Sequence, residues 1–199
     1  MPPPPEEGTT VAVDGTGLAP GAVSPFCVNR VRDRGHGFTW RHWRKWGVVV
    51  DLPRRLLLAQ LATPGPTNDG ASLRPLLEQA RHQAPVRCVL ADAEFASEPN
   101  PPFIRGVVGA LRIIPAKRGK PTWRLNGVRA EMRAHFPPVP YRQRAIAESV
   151  FSATKRKLSA CAPGRSPRTQ ERQALLLRKP TTPTVTRQVL CQSASLLLR

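Results

Sequence analysis

Hydrophobic positions alternate with two different periods along this chain, and the switches between them mark out its elements. Thr9 to Val13 (TTVAV) is a short β-branched run that reads as a buried strand, closed by a turn at Asp14-Gly15-Thr16-Gly17. Residues 18–37 are basic, glycine-containing and without period, and read as a loop. A second strand is predicted within Phe38 to Asp51, paired with Leu56 to Thr63 through a turn at Asp51 to Arg55. Asn68 or Asp69 would cap a helix over Ala71 to Gln83, with Leu73, Leu76, Leu77 and Ala80 on one side and Pro85 as its breaker. Val86 to Ala91 is the next strand, closed by Asp92. A helix over Phe103 to Leu111, a strand over Arg112 to Pro115 and a helix within Gly127 to Phe136 follow.

From Tyr141 to Lys155 (YRQRAIAESVFSATK) the period is helical, with Pro140 suited to a start and Pro163-Gly164 to a stop. At about 100° per residue, Tyr141, Arg144, Glu148 and Lys155 fall at roughly 0°, 300°, 340° and 320°, one narrow polar stripe. Ile146, Ala147, Val150, Phe151 and Leu158 lie mostly opposite and face a core. A last amphipathic helix is predicted over Arg165 to Arg178, with Leu175, Leu176 and Leu177 inward.

Composition narrows what such a chain can bind. The 199 residues carry a net charge of +18 with 40% hydrophobic content, enough for one domain with a core and a field that favours a polyanion. No apolar run approaches a membrane span, and no signal peptide opens the chain. Cys27, Cys88, Cys161 and Cys191 are widely spaced and read as reduced thiols of a cytoplasmic protein. His36, His42, His82 and His135 form no ligand spacing. Trp40, Trp43 and Trp46 interleave with Arg41, Arg44 and Lys45; this suits either DNA stacking or, by preference, a half-buried strand with a basic outer face.

The stripe has two readings. One is a solvated face with an i,i+4 ion pair between Arg144 and Glu148. The other is chemical: Tyr141, two residues, Arg144, three residues, Glu148, six residues, Lys155 resembles the Tyr-Arg-Glu-Lys signature around the last acidic residue of the DDE transposases of bacterial insertion sequences. VAVDGTGL around Asp14 is similar to the segment of that family's first catalytic aspartate, and ADAEFASE around Asp92 to that of the second. The second match departs at Glu94, Phe95 and Ala96, where the family has glycine, tyrosine and aspartate; none of these is the carboxylate. Asp51 also ends a predicted strand and is a rival, but order and local sequence favour Asp14.

The resemblance implies an α/β, ribonuclease H-like mixed sheet flanked by helices, spanning residues 9–178, with 1–8 a disordered proline-rich tail and 179–199 a divergent tail. Asp14, Asp92 and Glu148 would be the catalytic acids and would hold two Mg²⁺ ions, with Mn²⁺ as a substitute. Tyr141, Arg144 and Lys155 would grip DNA phosphates. The chemistry asks for such residues: paired hard cations, held by carboxylates, stabilise charge on the attacking and leaving oxygens of a phosphodiester. The implied activity is cleavage and strand transfer at transposon ends. Its partners are double-stranded DNA, as ends and target, and a second subunit in a synaptic complex. The family's DNA-binding helices ahead of the first aspartate are not matched, which implies a form shortened at its N-terminus. The alternatives are a decayed transposase or a non-catalytic basic DNA-binding protein.

Overall fold

The computed structural model describes residues 7–20, 43–65, 67–97, 99–116, 128–134, 136–164 and 166–177. Within them the chain forms a mixed sheet of six strands with helices on both faces, an α/β architecture consistent with the ribonuclease H-like expectation. The main path runs β3-β2-β1-β4-β5, where β1 is Thr9–Pro20, β2 Arg44–Asp51, β3 Leu56–Pro64, β4 Val86–Ala91 and β5 Leu111–Ile113. The short β6, Cys161–Ala162, pairs with the far end of β1. Among these strands β2 alone runs against the others.

Alternation along the strands divides the interior into two layers. Val11 and Val13 of β1, Val49 of β2 and Val89 and Ala91 of β4 pack beneath α1, Asp69–Arg81, whose Leu73, Leu76, Leu77 and Ala80 are all fully buried. Ile104 and Met132 close the same layer. They belong to a helical turn, α2, Asn100–Phe103, that widens into a π-helical turn over Ile104–Val108, and to α3, Val128–Ala134. The opposite set, Ala12 and Leu18, Trp46, Val48 and Val50, Cys88 and Leu90, meets Ala147, Val150 and Phe151 of α5, Ala145–Lys157, and Ala174 of α6, Pro167–Leu176. A short helix, α4, Pro138–Tyr141, leads into α5 through a tighter 3₁₀ turn at Arg142–Arg144.

Several expectations need correction. No turn follows Val13: β1 continues through Asp14-Gly15-Thr16-Gly17, because β2 pairs with it residue by residue from Val11↔Asp51 to Leu18↔Arg44. The Phe103–Leu111 helix starts earlier, at Asn100, since proline suits a first turn, and stops at Gly109, whose φ of 72° is left-handed. In α6 the buried positions are Gln170 and Ala174, one turn apart; Leu175 and Leu177 pack half-buried against the core as expected, while Leu176 is 55% exposed. Three consecutive residues span too wide an arc of a helix to face inward together. Trp46 is core rather than a stacking surface: it is fully buried, gives its Nε1 hydrogen to Gln60 Oε1 at 3.1 Å and meets Phe151 edge-on at 5.5 Å.

The hairpin of β2 and β3 and the strand Val86–Ala91 stand where the pattern put them, and of the two cap candidates it is Asn68 that caps α1. The expectations for residues 1–6, the 21–37 loop, Trp40 and Arg41, the basic loop 117–120 and the 179–199 tail fall outside the described residues, as do those for Cys27, Cys191, His36, His42 and His135. Among the described residues no helix is long and apolar enough to cross a membrane.

Candidate functional site

Parallel pairing between β1 and β4 ends at Val13↔Ala91. Asp14 and Asp92 are therefore the next residue on each of two neighbouring strands, and both continue the rows (Ala12 on β1, Leu90 on β4) that face α5. Glu148 stands in the first turn of α5 above that face. The three acids thus lie near one end of the sheet, close enough for Glu148 and Asp92 to act on Asp14, although 134 residues separate the first from the last.

Arg144 joins two of them, Asp14 and Glu148. Its Nη1 donates to Asp14 Oδ2 at 2.8 Å and its Nη2 to Glu148 Oε1 at 2.7 Å, so one guanidinium spans a strand acid and a helix acid. Asp14 Oδ1 also accepts from the Gly15 amide at 2.8 Å, and Asp92 Oδ1 from the Ala93 amide at 2.5 Å, where it caps the 3₁₀ turn Ala93–Phe95. The expected ion pair of Arg144 with Glu148 is present with Glu148 57% exposed, and it forms one half of this bridge.

The electrostatics follow from this crowding. Burial raises the Asp14 carboxyl above its ordinary 3.8, and Glu148 and Asp92 push it the same way; the Gly15 amide and Arg144 only partly offset them. Burial also raises the Tyr141 phenol, with Asp92 and Asp14 adding to it against Arg144. For Arg144, burial disfavours the charge, but Asp14, Tyr141, Asp92 and Glu148 together outweigh it and raise its pKa. Arg144 stacks 5.9 Å from the centre of the Tyr141 ring, and Phe136 meets that ring edge-on at 4.9 Å. Lys155, two turns beyond Glu148, donates to Thr16 Oγ1 at 2.6 Å.

All six residues singled out from the sequence therefore lie along one seam, with β1 and the end of β4 on one side and the run from α4 through α5 on the other. The rival Asp51 does not: it pairs with Val11 toward the other end of β1, is 1% exposed, and its carboxylate binds the Thr9 hydroxyl at 2.8 Å and Arg54 Nη1 at 3.0 Å. It holds the β2–β3 turn together.

Asp14, Asp92 and Glu148 present hard oxygen donors of the kind a divalent cation takes, and the Asp14 carboxylate is disfavoured first by burial and then by its two acidic neighbours. Among the described residues no three His, Cys, Asp or Glu side chains close on one point as a metal cluster; Arg144 lies between Asp14 and Glu148 instead. Sequence reasoning missed two supports of the site. The local sequence favours a turn at Thr16, which instead lies within β1 and accepts from Lys155. Asn100, 1% exposed, donates from Nδ2 to Gly70 O at 2.8 Å and Phe95 O at 2.9 Å, fastening α1 to the turn that Asp92 caps.

Comparison with known proteins gives one family: a model described as Transposase DDE domain matches residues 6–177. No curated individual protein matches the chain.

Proposed function

This chain belongs to the transposase DDE domain family, and from that premise we propose that Asp14, Asp92 and Glu148 are its catalytic acids, cutting DNA strands at insertion-sequence ends and joining them to target DNA. The observation that carries this reading is the register Val13↔Ala91, which sets Asp14 beside Asp92, together with the Arg144 bridge from Asp14 to Glu148. The working unit is residues 9–178, flanked by the tails 1–8 and 179–199.

Mg²⁺, or Mn²⁺ in its place, held by Asp14, Asp92 and Glu148 as a pair of ions would stabilise negative charge on the attacking and leaving oxygens of the phosphodiester. The chain's own residues do the rest. Arg144, which holds Asp14 and Glu148, would offer its planar fork to a DNA phosphate. Tyr141 backs that guanidinium with its ring, and Lys155 holds a second phosphate along the same face. A charge of +18 draws double-stranded DNA to the protein, and a homodimer would bring two ends together.

Nicking of supercoiled plasmid in Mg²⁺ tests this reading. Asp14→Ala, Asp92→Ala and Glu148→Gln should each abolish nicking while leaving DNA binding in place; full activity in any one removes that residue from the set. A second reading, a DNA-binding protein without catalysis, has one feature in its favour: Arg144 already pairs with Asp14 and Glu148, two of the acids that metal would bind. That reading holds if the parent protein binds DNA but does not nick it in Mg²⁺ or Mn²⁺.

A further inference from the structure

Thr16 lies two residues beyond Asp14 on β1 and shares its face, between Ala12 and Leu18, which are both buried under α5. It is half-buried, in contact with Lys155 through a bond of 2.6 Å that joins positions 139 apart in the chain. β1 has β4 as a neighbour as far as Val13↔Ala91 and β6 only from Ala19↔Cys161. Thr16 therefore sits in the notch between those two strands, on an edge that no described strand covers. We propose that Thr16 and Lys155 together form a seat for one DNA phosphate, with Thr16 as the residue that positions the lysine.

The chemistry of the pair points to an anion. A hydroxyl has one hydrogen to give and two lone pairs to receive with. The Thr16 oxygen accepts from the Lys155 ammonium, and among the described residues its own hydrogen has no acceptor. The ammonium carries three hydrogens and uses one on Thr16. A tetrahedral oxyanion can accept from both groups at once, and the lysine adds the opposite charge. Position gives the identity of the anion: the seat is on the Asp14 face, along the row that leads from the acids toward the last turn of α5, where Arg156 and Lys157 follow. A DNA backbone crossing the acids continues over it. A free lysine would have to give up rotamer freedom to hold a phosphate; one already tied to Thr16 has given up most of it.

This rests on the reading of Lys155 as a phosphate contact, and the test separates the two. The affinity of the full chain for a short DNA duplex of arbitrary sequence is measured against salt for the parent, Lys155→Ala, Thr16→Val, Thr16→Ser and the double variant Thr16→Val/Lys155→Ala. Loss of one phosphate contact lowers the slope of log affinity against log salt by about 0.9. Lys155→Ala and Thr16→Val should each show that drop with a several-fold loss of affinity. Thr16→Ser should restore the parent's slope, and the double variant should bind no more weakly than Lys155→Ala. Thr16→Val is close to isosteric, so a merely structural role would change its melting temperature without changing its salt slope. A reduced slope for Lys155→Ala with a parental slope for Thr16→Val overturns the positioning role and leaves Lys155 as a DNA contact. A parental slope for Lys155→Ala overturns both.

Discussion

Arg144 reaches across 130 residues of sequence to place Nη1 2.8 Å from Asp14 Oδ2, and the same guanidinium holds Glu148. One positive charge from within the chain thus stands between two of the three acids. Three acids at one sheet end repel one another, and burial of Asp14 strengthens that repulsion by lowering the local dielectric.

Removing that cation should make the fold depend on metal. Arg144→Ala leaves the part-buried Asp14 without its charge partner, and a hydrogen bond to a charged group contributes about 1.5–3 kcal/mol. In chelator the variant should melt several degrees below the parent. Added Mg²⁺, binding only the folded state, should raise its melting temperature more than it raises the parent's. An equal metal response in both proteins would show that Arg144 and the cation do not compete for the same acids.

The pH dependence of stability has a definite sign at Asp14. Its folded carboxyl keeps its proton to a higher pH than the unfolded 3.8, so the native state binds more protons in the window between the two values. Stability from this group is therefore lost as pH rises through that window. In metal-free buffer Asp14→Asn should be more stable than the parent above the window, and the difference should vanish below 3.8. Urea titrations across that range measure it; a variant less stable at neutral pH would mean that the Arg144 contact outweighs burial.

Trp46 separates a core role from a DNA role. Phenylalanine keeps the ring against Phe151 but removes the hydrogen given to Gln60, whose Nε2 in turn donates to Leu175 O at 2.8 Å. Trp46→Phe should cost about 1–3 kcal/mol by leaving Gln60 Oε1 short of a partner, with duplex affinity unchanged. A loss of DNA affinity in a folded variant would return Trp46 to the binding surface.

Asp51 gives the converse control. Asp51→Ala takes the acceptor from the Thr9 hydroxyl, the Arg54 amide and the Arg54 guanidinium in a turn whose Arg55 has a φ of 55°. It should lower stability by about 2–3 kcal/mol in urea and leave metal-dependent nicking intact below its melting temperature. Loss of nicking without loss of stability would revive Asp51 as a site residue.

How far these features could be read in advance depends on how local their causes are. The ends of β4, the β2–β3 hairpin, the Asn68 cap and the core side of α5 follow from residues a few positions apart, and all were legible. The stripe from Tyr141 to Lys155 was legible for the same reason, since helical spacing puts those side chains on one face. Asp14-Gly15-Thr16-Gly17 misled because its residues favour a turn by themselves, while pairing with β2 holds them extended. β6 is two residues long and forms only because β1 offers it an edge at Ala19 and Pro20. It has no pattern of its own to read.

By itself the sequence determined which residues carry charge, which faces are apolar, where the strand before Asp92 runs and to which family the chain belongs. Tertiary structure alone decided that Asp14 lies within a continuous strand, that it stands level with Asp92, and that Arg144 bridges it to Glu148 while Thr16 holds Lys155. Periodicity is set by neighbours in the chain. Register and ion pairing are set by which distant segments share a buried face, and that is decided only when the sheet closes on its helices.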